Sequence, residues 1–478
     1  MQPEILIRRD FLKAFGLGGM LAAAGFRASA DGVHAAAQSG GAARQADWTR
    51  FGFDLHNTRF NDRETTIGRE NVSRLKLKWK FPAGGGFQNT PCVVGDRAYI
   101  GSFDAHIYAL DVKTGRQIWK FDTETPAQRR GESDMRSSLQ YAEGKLFFGN
   151  GYGDCSAFCL DAASGKVLWK TALDEDILRN QAHISYSPTY YQGLVFFGTS
   201  SGKSHILCLD AETGAIRWKF KVVEASDVGG GAVWTSAAID EQHEIVYNVT
   251  GNAKTFMPPG PMLFVNSIIA HDMRSGRMIW HHQERPADPF DFDFGCHPML
   301  FDATYPPGRA VRNCVAAGNK SGAIVALDRY TGEVYWRARF PTGPRGGGPR
   351  MSATAFAYNR VYLTAGAVGS VGSTSSAAVA LNAYSGEIEW WTPNEMGANA
   401  PIAVANRVFY QGLLNGKMQA FDTEDGRMLW EFQTSGTHRG GPSVANGVLY
   451  TTSNAADVAS AAGSSGDNAV YAFTIDGK

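Results

Sequence analysis

The segment Asp291-Phe292-Asp293 places two carboxylates two residues apart, between Pro289 and Gly295. On an extended backbone, side chains at positions i and i+2 point to the same side. Two such carboxylates repel each other, which raises the pKa of one of them or calls for a cation between them. A solvated acidic loop is the alternative, but phenylalanines alternate with the aspartates and favour partial burial. The pattern therefore indicates a carboxyl group with a raised pKa or a cation site.

Trp234 follows the glycine run Gly229-Gly230-Gly231. It is out of phase with the regularly spaced tryptophans described below, so a packing role is the less favoured alternative. Its indole offers a large apolar face that suits stacking against a flat ligand. Asn252, in Thr250-Gly251-Asn252, carries an amide oxygen of the kind that hard cations bind; a turn residue after glycine is the alternative.

A repeated phrase organises most of the chain around these residues. In more or less complete form, Ala-Leu-Asp-x-x-Thr-Gly-x-x-x-Trp ends at seven tryptophans: Trp119, Trp169, Trp218, Trp280, Trp336, Trp390 and Trp430. Its alternating apolar residues predict a strand, Asp-x-x-Thr-Gly predicts a turn, and the tryptophan segment predicts the returning strand. Another strand pair precedes each phrase, so each unit has four antiparallel strands, the size of a propeller blade.

An eighth tryptophan, Trp79, lacks the preceding turn, and the missing half stands near the other end of the chain, in Ala469 to Phe473. We therefore predict an all-β fold: an eight-bladed β-propeller of four-stranded antiparallel blades, closed by pairing of N- and C-terminal strands. The repeated tryptophans dock between adjacent blades. Separate domains are disfavoured because the repeat never stops for a linker. The longest gaps between tryptophans fall from Trp218 to Trp390, and such insertions often build the functional site.

The N-terminal residues indicate export. Arg8-Arg9-Asp10-Phe11-Leu12-Lys13 precedes a weakly apolar stretch and Ala-x-Ala cleavage sites, which is the order of a twin-arginine signal. We predict a signal peptide over residues 1–37, a flexible leader over 38–47 and the propeller over 48–478, in a periplasmic protein without a membrane span. Lys and Arg (46) balance Asp and Glu (46), which argues against nucleic acid as a partner.

These residues resemble the quinoprotein alcohol dehydrogenases, eight-bladed propellers that bind pyrroloquinoline quinone (PQQ). The resemblance covers nearly the whole chain after the leader and includes the opening segment from Trp48 to Asn61. The run from Gly229 to Thr235 and the Asp291-Phe292-Asp293-Phe294-Gly295 segment are particularly similar to the polyvinyl-alcohol dehydrogenase branch. The tryptophan phrase is less specific, because non-enzymatic propellers of the outer-membrane assembly type carry it too.

The resemblance implies a role for several side chains. Trp234 would be the face on which PQQ stacks, and Asp291 the base that takes the proton of the substrate hydroxyl. Lys320 and Arg329 would face the quinone and stabilise negative charge as it accepts hydride; two exposed basic residues are the alternative. Weaker candidates for cofactor binding are Arg136, Ser185 and Ser200, which match positions that contact the cofactor's carboxylates in relatives, and Gln88, which stands where relatives often place a glutamate.

The resemblance also implies a metal ion. Asn252, Asp291 and Asp293 match ligand positions, and Asp293 stands where some members carry an additional aspartate for a larger, more highly charged ion. We therefore expect Ca²⁺ or a lanthanide. One departure concerns a metal-ligating glutamate of the family, since Lys203 stands at or near its position. An ammonium cannot ligate a metal, so Lys203 either replaces the ion by pairing with Asp291 or marks a propeller that has lost catalysis.

These observations predict a periplasmic quinoprotein dehydrogenase that oxidises a small-molecule or polymeric alcohol to a carbonyl by hydride transfer to PQQ. No Cys-x-x-Cys-His occurs, which excludes a covalent c-type haem, so electrons would leave to a separate periplasmic acceptor such as a cytochrome c. The alternative is a non-catalytic propeller that acts as a binding or scaffold protein or as a redox-complex subunit. Trp234 and the acidic pair favour the enzyme, and Lys203 favours the alternative.

Overall fold

The structure is a computed structural model that describes residues 46–123, 135–151, 154–174, 183–200, 204–223, 230–253, 262–286, 288, 290–305, 310–340, 353–366, 376–455 and 466–478. The predicted signal peptide over residues 1–37, most of the predicted leader over residues 38–47, and Lys203 lie outside these residues. Within the described ranges, no helix is long and apolar enough to cross a membrane.

Eight sheets in the described part of the chain form the blades of a β-propeller, each with four antiparallel strands, which confirms the predicted fold. The short strand Phe60–Asn61 adds a fifth, parallel strand beside Ala403–Ala405, and Val72–Arg74 form a 3₁₀ turn. In blades 1 to 4 the strands are Cys92–Val94, Arg97–Ser102, His106–Asp111 and Gln117–Asp122; Gln140–Ala142, Lys145–Gly149, Ser156–Asp161 and Val167–Ala172; Thr189–Tyr191, Leu194–Gly198, His205–Asp210 and Ile216–Lys221; and Ala238–Asp240, Ile245–Val249, Ser267–Asp272 and Met278–Gln283.

Blades 5 to 8 follow the same order, from the innermost strand outwards. Their strands are Met299–Tyr305, Ala310–Gly318, Ala323–Asp328 and Val334–Arg339; Ala355–Ala357, Arg360–Gly366, Ser376–Asn382 and Ile388–Asn394; Ala403–Ala405, Val408–Gly412, Lys417–Asp422 and Met428–Gln433; and Ser443–Ala445, Val448–Ser453, Ala469–Ile475 and Leu75–Pro82. The last strand of blade 8 thus comes from near residue 75 and pairs antiparallel with Ala469–Ile475, which closes the ring as the sequence predicts.

The repeated tryptophans dock each blade onto the next. Each indole Nε1 donates to a backbone carbonyl of the following blade: Trp79 to Val112, Trp119 to Ala162, Trp169 to Ala211, Trp218 to Met273, Trp280 to Arg329, Trp336 to Ala383, Trp390 to Thr423 and Trp430 to Leu75, at 2.9–3.2 Å. The turn glycine lies against the same ring. At Gly115, whose φ is +70°, a Cβ would lie 2.6 Å from Trp79 Cδ2, so both conformation and space require glycine.

Residues 46–61, here called the central segment, form hydrogen bonds with all eight blades. Along the segment, these bonds follow the order of the blades in the sequence. In blade order, hydrogen bonds join Trp48 to Val93, Thr49 to Tyr141, Arg50 to Tyr190, Leu55 to Ile239, His56 to Leu300, Thr58 to Phe356, Arg59 to Val404 and Asn61 to Val444. All of these blade residues lie on innermost strands, which surround the propeller axis. The central segment therefore circles the axis and crosses the axial channel.

Candidate functional site

A cavity of about 160 Å³ lies on the propeller axis, at the end where the chain enters each innermost strand. Its lining comes from the central segment and from every blade: Phe51, Gln88, Arg136, Ser138, Ser185, Ser187, Trp234, Thr235, Gly295, His297, Lys320, Ala353, Asn399, Pro401 and Arg439. Most of these residues stand four or two positions before the first residue of an innermost strand. Since side chains alternate along extended backbone, these two positions face the axis together in blade after blade.

Lys320 gathers the candidate chemical groups at one point of the cavity wall. It lies in the turn between Ala310–Gly318 and Ala323–Asp328 of blade 5. Its Nζ is 2.8 Å from Asp291 Oδ1 and 2.6 Å from Asp293 Oδ1. The same ammonium lies 4.8 Å from the centre of the Trp234 ring, in a cation–π arrangement. The structure therefore brings together Trp234, Lys320 and both aspartates of the acidic segment.

The two aspartates have different surroundings. Asp293 is buried, and burial raises its pKa to about 6, helped by the charge of Asp291 and opposed by Lys320 and by a hydrogen bond from the backbone N–H of Asn252. The Asp291 side chain is one-third exposed. Asp291 is thus the more accessible of the two carboxylates, although neither is among the residues that line the cavity. Asn252 lies beside Asp293, to which its backbone N–H donates.

A third aspartate holds the backbone of this segment. The carboxylate of Asp288, which is buried, accepts hydrogen bonds from the backbone N–H of Phe290 at 2.9 Å and of Phe292 at 2.6 Å. Between them, Asp291 has a left-handed backbone with φ of +61°, a conformation that is uncommon outside glycine and clusters at functional sites. Asp288, which the sequence analysis did not single out, therefore fixes the direction in which Asp291 points.

Several buried polar atoms of the cavity wall have no hydrogen-bond partner among the described residues. They are Ser185 Oγ, Trp234 Nε1, Thr235 Oγ1, His297 Nδ1 and Asn399 Oδ1. The other ring nitrogen of His297, Nε2, lies 3.0 Å from the carbonyl of Asn57, and burial and the charge of Arg59 lower the pKa of His297 to about 3, so the ring is neutral. Buried polar groups are rarely left unpaired, so this wall is built for a ligand with several polar atoms.

The weaker sequence candidates fall into two groups. Gln88, Arg136 and Ser185 line the cavity, and all three stand four residues before an innermost strand. Ser200 is buried and pairs through its backbone with His183, two residues before Ser185, but it is not among the cavity-lining residues. Sequence analysis missed His297, Asn399 and Arg439, although Asn399 and Arg439 occupy the same repeat position as Trp234.

Arg329 does not lie at the cavity, contrary to the prediction that it faces the cofactor. It follows Asp328 in the docking turn of blade 5, and its carbonyl accepts the Trp280 indole at 3.0 Å. Lys320 and Arg329 stand at opposite ends of the strand Ala323–Asp328, which spans about 20 Å. The Arg329 guanidinium instead forms ion pairs with Asp240 at 3.3 Å and Asp302 at 3.2 Å.

The donor set for a metal ion is small. Among the described residues, no group of three or more His, Cys, Asp or Glu side chains converges. Asp291 and Asp293 offer carboxylate oxygens near Asn252, and Lys320 pairs with both carboxylates. Because Ca²⁺ takes six to eight oxygen ligands, an ion here would draw most of its ligands from a bound cofactor or from water.

A family model described as the β-propeller domain of glucose, ethanol and alcohol dehydrogenases, of the PQQ type, matches residues 48–168 and 223–354, more than half of the chain. The chain belongs to this PQQ-dependent alcohol dehydrogenase family. A second model, described as the outer membrane protein assembly factor BamB, matches residues 133–283 and 320–474, which fits the tryptophan repeat that both kinds of propeller carry.

Relatives and solved structures agree with this assignment. A polyvinylalcohol dehydrogenase of Pseudomonas sp is 27% identical over 512 residues, covering 90% of this chain and 77% of the relative. The quinohemoprotein alcohol dehydrogenase of Comamonas testosteroni superimposes with a TM-score of 0.78 at 22% identity, covering 91% of this chain and 82% of that one. BamB of Moraxella catarrhalis has a TM-score of 0.57 at 16% identity, covering 84% and 97%. The family member described here thus shares its fold with both, and is an oxidoreductase of the dehydrogenase kind.

Proposed function

We propose that this chain oxidises an alcohol to a carbonyl compound with PQQ bound in the axial cavity. The observation that carries the proposal is that Lys320, which lines that cavity together with Trp234, contacts both the Trp234 ring and the Asp291 carboxylate beside the cavity. PQQ, when bound, supplies a quinone that accepts hydride from the alcohol carbon. The unpaired polar atoms of the wall fit this group, because it is planar and carries carbonyl and carboxylate oxygens around its rim.

The side chains around the cavity have separate roles in this reaction. Asp291, held by Asp288, accepts the proton of the substrate hydroxyl at its carboxylate. Lys320 holds the Asp291 carboxylate through an ion pair of 2.8 Å. The indole of Trp234 provides an apolar face for the planar ligand, and Arg136, Ser185 and Gln88 lie where they can bind polar groups on its edge. Arg329 has no part in this scheme.

Asn252, Asp291 and Asp293 would hold the metal ion, either Ca²⁺ or a lanthanide. Their carboxylate and amide oxygens suit hard cations. A bound ion would compete with the Lys320 ammonium for the same two carboxylates. Ser200, whose backbone pairs with His183, is not among the cavity-lining residues and has no direct part in the proposal.

The biological setting is also a proposal. The relatives named polyvinylalcohol dehydrogenase support a polymeric or small-molecule alcohol as substrate. Residues 1–37 would direct export to the periplasm by the twin-arginine route, residues 38–47 would form a leader, and residues 48–478 would form the propeller. Electrons would leave to a separate periplasmic acceptor such as a cytochrome c.

Reconstitution of the purified protein tests the proposal. PQQ is added with Ca²⁺, with a lanthanide or with a chelator, and binding is followed by the quinone absorbance and activity by alcohol-dependent dye reduction. We expect binding and alcohol-dependent reduction with at least one metal. Absence of PQQ binding under all three conditions would contradict the proposal and favour a scaffold function, as in the BamB type of propeller.

A further inference from the structure

Arg59 is a fully buried cation of the central segment. Its guanidinium donates to the carbonyls of Phe51 and Ile402, to the carbonyl of Pro442 at 3.1 Å and to Thr90 Oγ1 at 3.4 Å. The rings of Phe51 and Trp48 lie 4.8 and 5.4 Å from its central carbon. All of these partners are neutral, and no carboxylate among the described residues forms an ion pair with it.

Arg50 of the same segment is half-buried and differs from Arg59 in that acidic groups act on its charge. Burial lowers the pKa of Arg50 to about 10, but the charges of Asp54 and Glu241 oppose that shift. Burial lowers the pKa of Arg59 to about 9 with no acidic group to oppose it. Arg59 is still protonated at neutral pH, so it carries a buried positive charge without a counter-ion in the part of the chain that the structure describes. Such a charge is costly unless an anion compensates it.

The position of Arg59 shows where a compensating anion can arrive. Phe51 and Pro401 line the cavity, and Arg59 lies directly beneath them. A Cβ added to Gly441 would lie 2.7 Å from Arg59 Nη2 and 2.8 Å from Pro401 Cβ. The charge of Arg59 also acts on the cavity residue His297, whose pKa it helps burial to lower. About one layer of atoms thus separates the guanidinium from the cavity.

We propose that Arg59 is a positioning residue whose charge, acting from beneath the cavity, holds an anionic planar ligand in place. The ligand class is a quinone that carries carboxylates, so the inference rests on the proposed function and adds a determinant that does not touch the cofactor. The central segment thereby has an electrostatic role besides crossing the channel. A charge acting through one layer of low-dielectric protein contributes more than it would across water.

The test compares PQQ with its uncharged trimethyl ester. Dissociation constants are measured by quenching of tryptophan fluorescence in the presence of Ca²⁺, for the wild type and for Arg59→Met, Arg59→Lys and Arg50→Met. We expect Arg59→Met to weaken PQQ binding about tenfold and to leave binding of the ester little changed. Arg59→Lys keeps the charge and should keep most of the affinity. Arg50→Met removes a compensated charge of the same segment and should leave both affinities unchanged.

Each outcome of this test either supports or overturns the inference. Equal weakening for PQQ and the ester in Arg59→Met would show a purely structural role and overturn the inference, as would unchanged PQQ binding. If Arg59→Met does not fold, Arg59→Gln takes its place, because glutamine also removes the charge; an equal loss for both ligands, or no loss for PQQ, in that folded variant overturns the inference. Failure of the wild type to bind PQQ would overturn both this inference and the proposed function.

Discussion

Two groups of charged residues lie at opposite ends of blades 4 and 5, and they differ in how completely they are paired. At the end away from the cavity, Arg329 pairs with Asp240 and Asp302, and His56 of the central segment lies 3.2 Å from Glu241. At the cavity end, Lys320 pairs with Asp291 and Asp293, but the wall around them keeps buried polar atoms that lack partners among the described residues.

This difference in pairing distinguishes structural residues from candidate functional residues more reliably than residue type does. Aspartate, histidine and a basic residue occur in both groups, so composition alone does not distinguish them. In the paired network the hydrogen-bonding groups already bind one another, whereas the cavity wall retains donors and acceptors that a ligand can bind. Substitutions in the two groups should therefore affect different measurements.

The largest expected effect is on turnover. Asp291→Asn removes the carboxylate that accepts the hydroxyl proton while it keeps the size of the side chain. We expect kcat for alcohol oxidation to fall about 10³-fold, with PQQ still bound as judged by its absorbance. The matched control is Asp240→Asn in the paired network, which should leave kcat unchanged. Retained turnover in Asp291→Asn would show that another group is the base.

An intermediate effect is expected on stability. Arg329→Met leaves the buried Asp240 carboxylate without its guanidinium, which should lower the free energy of unfolding by about 2 kcal/mol. Urea denaturation measures this change. Because Arg329 lies at the far end of its strand from Lys320, kcat and PQQ affinity of the folded variant should match the wild type. A selective loss of PQQ binding in that variant would place Arg329 in the cofactor site after all.

The fold was predictable because it repeats. Each tryptophan phrase predicts one blade, and the separation of Trp79 from the C-terminal strand predicts how the ring closes. The same repeat could have corrected the assignment of Arg329, since the residue after the phrase's aspartate gives its carbonyl to a docking tryptophan in other blades as well. The prediction followed the family resemblance rather than this repeat position, and therefore placed Arg329 at the quinone.

The candidate site was predictable only in part. Gln88, Arg136, Ser185 and Trp234 share one repeat position, four residues before an innermost strand, and counting from that position would have added Asn399 and Arg439. No periodicity could have placed Lys320 between Asp291 and Asp293, because that contact joins a turn of blade 5 to an irregular segment. The circular path of the central segment was equally hidden, since each of its contacts joins it to a different blade.

The smallest effect should come from the pH dependence of the paired network. Burial by itself lowers the pKa of His56, and the charge of Arg329 lowers it slightly further. The hydrogen bond to Glu241 and the charges of Asp54 and Glu241 outweigh both effects and raise the pKa above 6.5. For Glu241, burial raises the pKa, but the hydrogen bond and charge of His56 outweigh it and lower the pKa below 4.5. A raised histidine pKa stabilises the fold at low pH and loses that contribution as the pH rises through the folded value. A glutamate whose pKa is lowered contributes its stability above pH 4.5, so the pair is strongest between pH 4.5 and pH 6.5 and weakens as the pH rises further.

The variant His56→Gln isolates this contribution, since glutamine can keep a hydrogen bond but not the charge. Because both side chains are more than one-third exposed, the pair should be worth less than about 1 kcal/mol. We expect the melting temperature of the wild type to exceed that of His56→Gln slightly at pH 6 and to approach it at pH 8. A difference of equal size at both pH values would mean that the contact acts through packing and that the charged state of His56 does not contribute. That result would leave the two groups distinct in their pairing but not in their electrostatics.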